Sequence, residues 1–174
     1  MSWDAFLALP DGDRVEFTQG RAVVSPPPTF AHQEICLRLR DALRAGLGTD
    51  TIVAVATGWV DAAEQWTRIP DLMVLGRAPA DGAVVTEPPL VVVEVLSSNR
   101  RSDLVVKAVE YHREGAGQYW VVDPRDQTID VFVRAPAAWH RLHRMTVETP
   151  TAEVSVGEGV GVRRFTLRLP DILR

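Results

Sequence analysis

Cysteine is almost missing from this chain. Cys36 stands alone among 174 residues, which excludes an internal disulfide and a cysteine zinc cluster and fits a reducing, cytoplasmic setting. Long hydrophobic runs are missing too: none approaches the roughly 20 residues of a membrane helix. The first residues lack a basic start followed by an apolar stretch, so neither a membrane association nor a secretory signal is expected. Excess positive charge is also lacking, since the formal net charge is −4. Proteins that hold nucleic acid by bulk electrostatics are usually basic, so that mode is disfavoured, while a local cleft using a metal ion is not. Scarcest of all is lysine: of 19 basic residues, 18 are arginine and one is Lys107. An ammonium is a compact point charge whose pKa moves readily, whereas a guanidinium stays protonated and planar, so a solitary lysine invites a chemical reason.

What is present is ordinary globular composition, with 46% hydrophobic and 24% charged residues, enough for one domain spanning residues 1–174. Ser2 to Leu9 reads as a short capped helix. Arg14 to Thr18 and Arg21 to Ser25 read as an N-terminal β-hairpin around Gln19-Gly20. Three prolines then launch a helix from near Thr29 to Ala45, with His32, Cys36, Leu39 and Leu43 on one face. Strands are expected over Thr51 to Thr57, Ile69 to Leu75, Leu90 to Leu96, Gln118 to Val122 and Thr128 to Arg134. A loop or hairpin is expected from Asp61 to Trp66, a loop from Gly76 to Pro89, and a helix from Ser102 or Asp103 to Glu114. Trp139 to Arg144 and Val160 to Leu169 read as further short strands. The pattern describes a mixed β-sheet flanked by helices, of the α/β or α+β class.

Several chemical signals are absent. The chain has no phosphate-binding glycine loop ending in Lys-Ser or Lys-Thr, no Gly-x-Ser-x-Gly elbow, and no dinucleotide spacing in Gly157, Gly159 and Gly161. His140 and His143 lie three apart in an expected strand, on opposite faces, and make poor joint metal ligands. Glu94 is the strongest positive clue, because it interrupts an apolar strand of the kind that is covered on both faces. An unpaired buried carboxylate is costly, so either Glu94 faces an edge or its site supplies a cation, hydrogen bonds or a raised pKa. Asp71 follows Pro70 at the mouth of another strand and is either a turn residue or a second carboxylate converging on one divalent ion. Lys107 shares a helix face with Leu104, Ala108 and Tyr111. It is either aimed at those carboxylates or paired on the surface with Asp103 or Glu110. Arg100 and Arg101 precede that helix, as phosphate contacts or as a solvated pair. His32 is either a hydrogen-bonded core residue or a group that touches the cleft.

The order Arg68-Ile-Pro-Asp71-Leu-Met-Val, Val91-Val-Val-Glu94-Val-Leu-Ser, Lys107 with Tyr111, and Gln118-Tyr-Trp-Val-Val-Asp123-Pro resembles the Uma-type restriction-endonuclease-like family of the PD-(D/E)XK nuclease superfamily. Glu16-Phe-Thr-Gln-Gly20, Ser25-Pro-Pro-Pro and His32-Gln33 resemble its N-terminal signature. The resemblance covers roughly residues 14 to 134 and implies a restriction-endonuclease-like core acting as a metal-dependent endonuclease on DNA. Asp71 would match the first acidic residue and Glu94 the second. The superfamily's lysine ordinarily stands two residues beyond that second acid, where this chain has Leu96; in the Uma-type branch it is moved to the following helix, the place of Lys107. The resemblance further implies that Asp71, Glu94 and the backbone carbonyl of Val95 hold Mg²⁺, with Mn²⁺ as a substitute. A metal-bound water would be activated there and Lys107 would orient it or neutralise the oxyanion. Glu16 is expected as a further ligand, His32 as a cleft residue, and Arg100 and Arg101 as DNA contacts.

Fold alone does not establish activity. One rival is a catalytically inactive nucleic-acid-binding or regulatory module on the same scaffold. Another uses the two carboxylates as general acid and base on a sugar, and leaves Lys107 unexplained. A homodimer is expected because cutting both strands of a duplex is simplest with two sites.

Overall fold

The structure, a computed structural model, describes residues 1–9, 14–48, 50–80, 84–97, 101–157 and 161–173, with the backbone alone for 101–103. Helix α1 (Trp3–Leu7) begins where the Ser2 hydroxyl accepts the Ala5 N–H, and it lays Trp3 and Phe6 against Phe17. Strands β1 (Val15–Thr18) and β2 (Arg21–Val24) join through Gln19 and Gly20, both at positive φ, the backbone a tight two-residue hairpin needs. Helix α2 (Phe30–Leu47) starts at Thr29, whose hydroxyl accepts the His32 N–H. Its Cys36, Leu39, Leu43 and Leu47 form the buried stripe that the helical spacing anticipates.

The chain continues through β3 (Ile52–Val55), β4 (Trp59–Asp61), β5 (Trp66–Arg68), β6 (Leu72–Leu75) and β7 (Val91–Val95). Helix α3 (Arg101–Arg113) leads to β8 (Gln118–Asp123), β9 (Thr128–Arg134), β10 (Trp139–Met145), β11 (Thr151–Val156), β12 (Arg163–Arg168) and α4 (Leu169–Ile172). A six-stranded sheet runs β10-β9-β8-β7-β6-β3, with only the β7–β8 pair parallel. A four-stranded sheet, β2-β1-β5-β4, extends the N-terminal hairpin, and β11 pairs with β12. The fold is mixed α+β.

The six-stranded sheet has a core on each face. Leu72, Val74, Val91, Val93, Val95, Trp120 and Val122 point to the side covered by α2, where β11, β12 and α4 add Val154, Leu167 and Ile172. Met73, Val92 and Tyr119 point to the other side, with Trp59, Trp66 and Tyr111 of α3. Alternation along β7 therefore puts Glu94, two residues after Val92, on the α3 side.

Several boundaries differ from the sequence expectation: β3 ends at Val55 rather than Thr57, and the expected loop or hairpin from Asp61 to Trp66 is flanked by the paired strands β4 and β5. The strand expected over Ile69 to Leu75 starts only at Leu72, because Ile69 to Asp71 carry the chain from one sheet to the next. Pro70 has no N–H for a ladder, the Ile69 N–H donates to Glu16, and the Asp71 carbonyl accepts from Ala56. Near the C-terminus, β12 begins at Arg163, while Val160, the expected start, lies outside the described residues; its partner β11 is a strand that local pattern did not mark.

Candidate active site

Two carboxylates and a lysine meet where β6 begins and β7 ends. The register pairs Leu72 with Val93, and continuing it sets Asp71 beside Glu94. Asp71 Oδ2 accepts the Val95 N–H at 2.8 Å and lies 3.1 Å from His32 Nε2. Glu94, 6% exposed, accepts through Oε1 from Lys107 Nζ at 3.0 Å and from the Tyr111 hydroxyl at 2.5 Å. These bonds use one oxygen of each carboxylate, so each has a second to offer a ligand.

Behind this pair lies a buried ionic network. Lys107 Nζ also lies 3.3 Å from Glu16 Oε1, which takes the Ile69 N–H as well. Glu16 Oε2 accepts from Arg68 Nη1 at 2.8 Å, and Arg68 Nε donates to Glu110 Oε2 at 2.7 Å. Glu110 in turn accepts from the Thr18 hydroxyl and the Trp66 indole. The surface-pair alternative for Lys107 does not hold: the residue is 6% exposed and its bonded carboxylates are Glu94 and Glu16, from two different sheets.

The charge balance explains the protonation tendencies. Four buried carboxylates, Glu16, Asp71, Glu94 and Glu110, face two buried cations, Arg68 and Lys107. Burial raises the Glu94 carboxyl above its ordinary value; Lys107 opposes this, and the charge of Asp71 adds to it. Burial would also raise Glu16, but Lys107, Arg68 and the Ile69 amide outweigh it and hold that group low. Burial works against the charged Lys107, yet Glu94 and Glu16 overcome it and keep the ammonium protonated. His32 is raised first by its hydrogen bond to Asp71, against burial, with a further contribution from the Val95 backbone. The negative surplus on oxygen donors fits a divalent cation.

His32, Cys36 and Asp71 could place one ligand atom each within 4.8 Å of one another. The Cys36 thiol is pushed up to about 12, chiefly by burial and then by Asp71 and Glu94, so it stays protonated at neutral pH. Oxygen donors therefore dominate the site, the preference of magnesium and manganese rather than of a thiolate-seeking metal.

Three clefts converge on His32. One of about 340 Å³ is lined by Thr29, Val95, Ser97, Asp123 and Arg125, at the carboxyl ends of the parallel pair β7 and β8. Others of about 290 and 150 Å³ are lined by Arg14 and Asp71 as well. Of the residues singled out in the sequence, Glu16, His32, Asp71, Glu94, Val95 and Lys107 come together. Arg100 and the side chain of Arg101 lie outside the described residues. Tyr111, Arg68 and Glu110 join the network although sequence reasoning gave them no role there. The polar positions Lys107 and Glu110, flanking an inward-facing helix stripe, were the signal for Glu110.

A family model whose description is Uma2, "Putative restriction endonuclease", matches residues 3–168. A crystal structure described as a putative nuclease belonging to DUF820, from Anabaena variabilis ATCC 29413, is similar with a TM-score of 0.76 and 18% identity, covering 99% of this chain and 97% of that one. No curated protein matches the chain.

Proposed function

Because the chain belongs to the Uma2 family, we propose that it is a metal-dependent endonuclease that hydrolyses phosphodiester bonds in DNA. The carrying observation is the solitary lysine held by Glu94 and Glu16 beside Asp71, in a buried cluster with a surplus of negative charge. Asp71, Glu94 and the Val95 carbonyl would hold Mg²⁺, or Mn²⁺ in its place, which supplies Lewis-acid activation of water and charge neutralisation at phosphorus.

The chain's own residues do the positioning. Asp71 is fixed by the Val95 amide and His32, so its remaining oxygen is aimed without rotamer freedom. Glu94 is fixed by Tyr111 and Lys107. Lys107 brings a protonated Nζ to the Glu94 carboxylate, where it orients the nucleophile or meets charge building on a phosphoryl oxygen. Glu16 has both oxygens committed and serves here to position Lys107 and Arg68. His32 stands between Asp71 and the open clefts, placed to touch a phosphate. A homodimer would supply two such sites for the two strands of a duplex.

The test is incubation of purified protein with supercoiled plasmid and single-stranded DNA in Mg²⁺, Mn²⁺ or EDTA, beside Glu94→Ala. Cleavage that requires the metal and is lost in the variant is expected. Equal cutting by the variant, or cutting in EDTA, would sink the reading.

A further inference from the structure

Arginine is abundant in this chain, yet one guanidinium is placed unlike an ordinary surface arginine. Arg14 stands just before β1, its backbone anchored by the Ser25 N–H donating to the Arg14 carbonyl at 3.1 Å. Its side chain is half-buried, and its Nε is buried without a hydrogen-bond partner. Among the described residues no carboxylate is close enough to form an ion pair with it, whereas Arg68 nearby in the fold is bonded to two. Arg14 lines both smaller clefts, and both also contain His32 and Asp71. It is close enough to act electrostatically on His32 and Cys36. A buried cationic donor that the protein leaves unsatisfied at the edge of a cleft calls for an anionic acceptor from outside.

We propose that Arg14 binds a backbone phosphate of the nucleic-acid strand lying in the cleft beside Asp71, and so sets the register of that strand on the candidate active site. The inference rests on the nuclease reading above and adds a positively charged contact for the substrate beside the carboxylates. The planar fork of a guanidinium suits two phosphate oxygens, and its fixed position before β1 makes the contact independent of base identity. The walls of the larger of these two clefts are Pro28, Leu37, Val55 and Ala56, apolar surfaces suited to the sugar between two phosphates. On this proposal phosphate recognition falls at the entry to β1, across the cleft from His32 of α2.

The experiment measures binding of a short fluorescent DNA oligonucleotide by anisotropy, with Ca²⁺ as the metal, across a series of salt concentrations. Wild type, Arg14→Ala and Arg14→Lys are compared, with thermal melting and Mn²⁺ titration of each. Arg14→Ala is expected to weaken binding roughly tenfold or more at low salt and to lower the slope of log affinity against log salt by about one. Arg14→Lys should restore the slope but only part of the affinity, because one ammonium replaces a fork. Mn²⁺ affinity and melting temperature should hold in both variants. An unchanged slope in Arg14→Ala, or a common loss of melting temperature in both variants, would make Arg14 structural and overturn the proposal while leaving the nuclease reading intact. Failure of the wild-type protein to bind the oligonucleotide would overturn both.

Discussion

Lys107 shows how one side chain carries several constraints at once. Its stem runs through a buried layer and its ammonium has two carboxylate partners from different sheets. Lys107→Met keeps the stem and removes the charge. It is expected to lower kcat by roughly a hundredfold or more with KM little altered, since in the proposed role the lost interaction would belong to the transition state. Steady-state kinetics on a cleaved oligonucleotide would decide, and a change confined to KM would contradict the assigned role. Arg at this position should fail to rescue, because a planar fork does not fit between Glu94 and Glu16. The lysine was legible from its rarity and its helix face. Its second partner was not, because Glu16 lies ninety-one positions earlier (107 minus 16) and reaches it only through the β1–β5 pairing.

At the scale of elements, Arg68 ties the four-stranded sheet to α3 by bonding Glu16 of β1 and Glu110 of α3. Removing one partner of a buried ion pair leaves uncompensated charge. Arg68→Ala is therefore expected to destabilise by about 3–5 kcal/mol, read from urea unfolding, and a loss below about 1 kcal/mol would show the network to be dispensable. The same network gives a pH signature. Glu16 is held below its ordinary value, so its stabilisation is full above the unfolded-state carboxylate pKa and is lost as pH falls through the lower folded value. Glu16→Gln should flatten the acid side of the melting-temperature profile. A profile identical to wild type would refute that contribution. The break between β5 and β6 belongs to this scale as well: Pro70 announced it, but the change of sheet was invisible without the partner strands.

For the molecule as a whole, the proposed function implies a site that stores a cost which a bound cation would relieve. Glu94 lies above its ordinary value, so its favourable contribution is present below the unfolded pKa and is lost as pH rises through the folded one. At neutral pH and without metal, Glu94→Gln should melt a few degrees higher than wild type. Saturating Mn²⁺ should raise the wild-type melting temperature, by about 2.7 kcal/mol in free energy at a hundred times Kd, and leave the variant unmoved. Differential scanning calorimetry with and without the ion reads both effects. A variant that melts lower in the absence of metal would contradict the charge surplus. The trade of stability for a preorganised site is the general pattern of functional carboxylate clusters.

The sequence alone determined what local chemistry controls. The caps at Ser2 and Thr29 and the positive-φ turn at Gln19-Gly20 follow from local propensity. So do the apolar stripe of α2 and the doubly covered β7. Glu94 and Lys107 stood out because each breaks a pattern within its own element. The tertiary structure alone decided which charges meet. It turned Glu16 into a partner of Lys107, brought Arg68 and Glu110 into the network, paired β11 with β12, and left Arg14 facing a cleft. The reason is physical: propensity and periodicity act over a few residues, whereas an ion pair between sheets depends on register and on which strand crosses where.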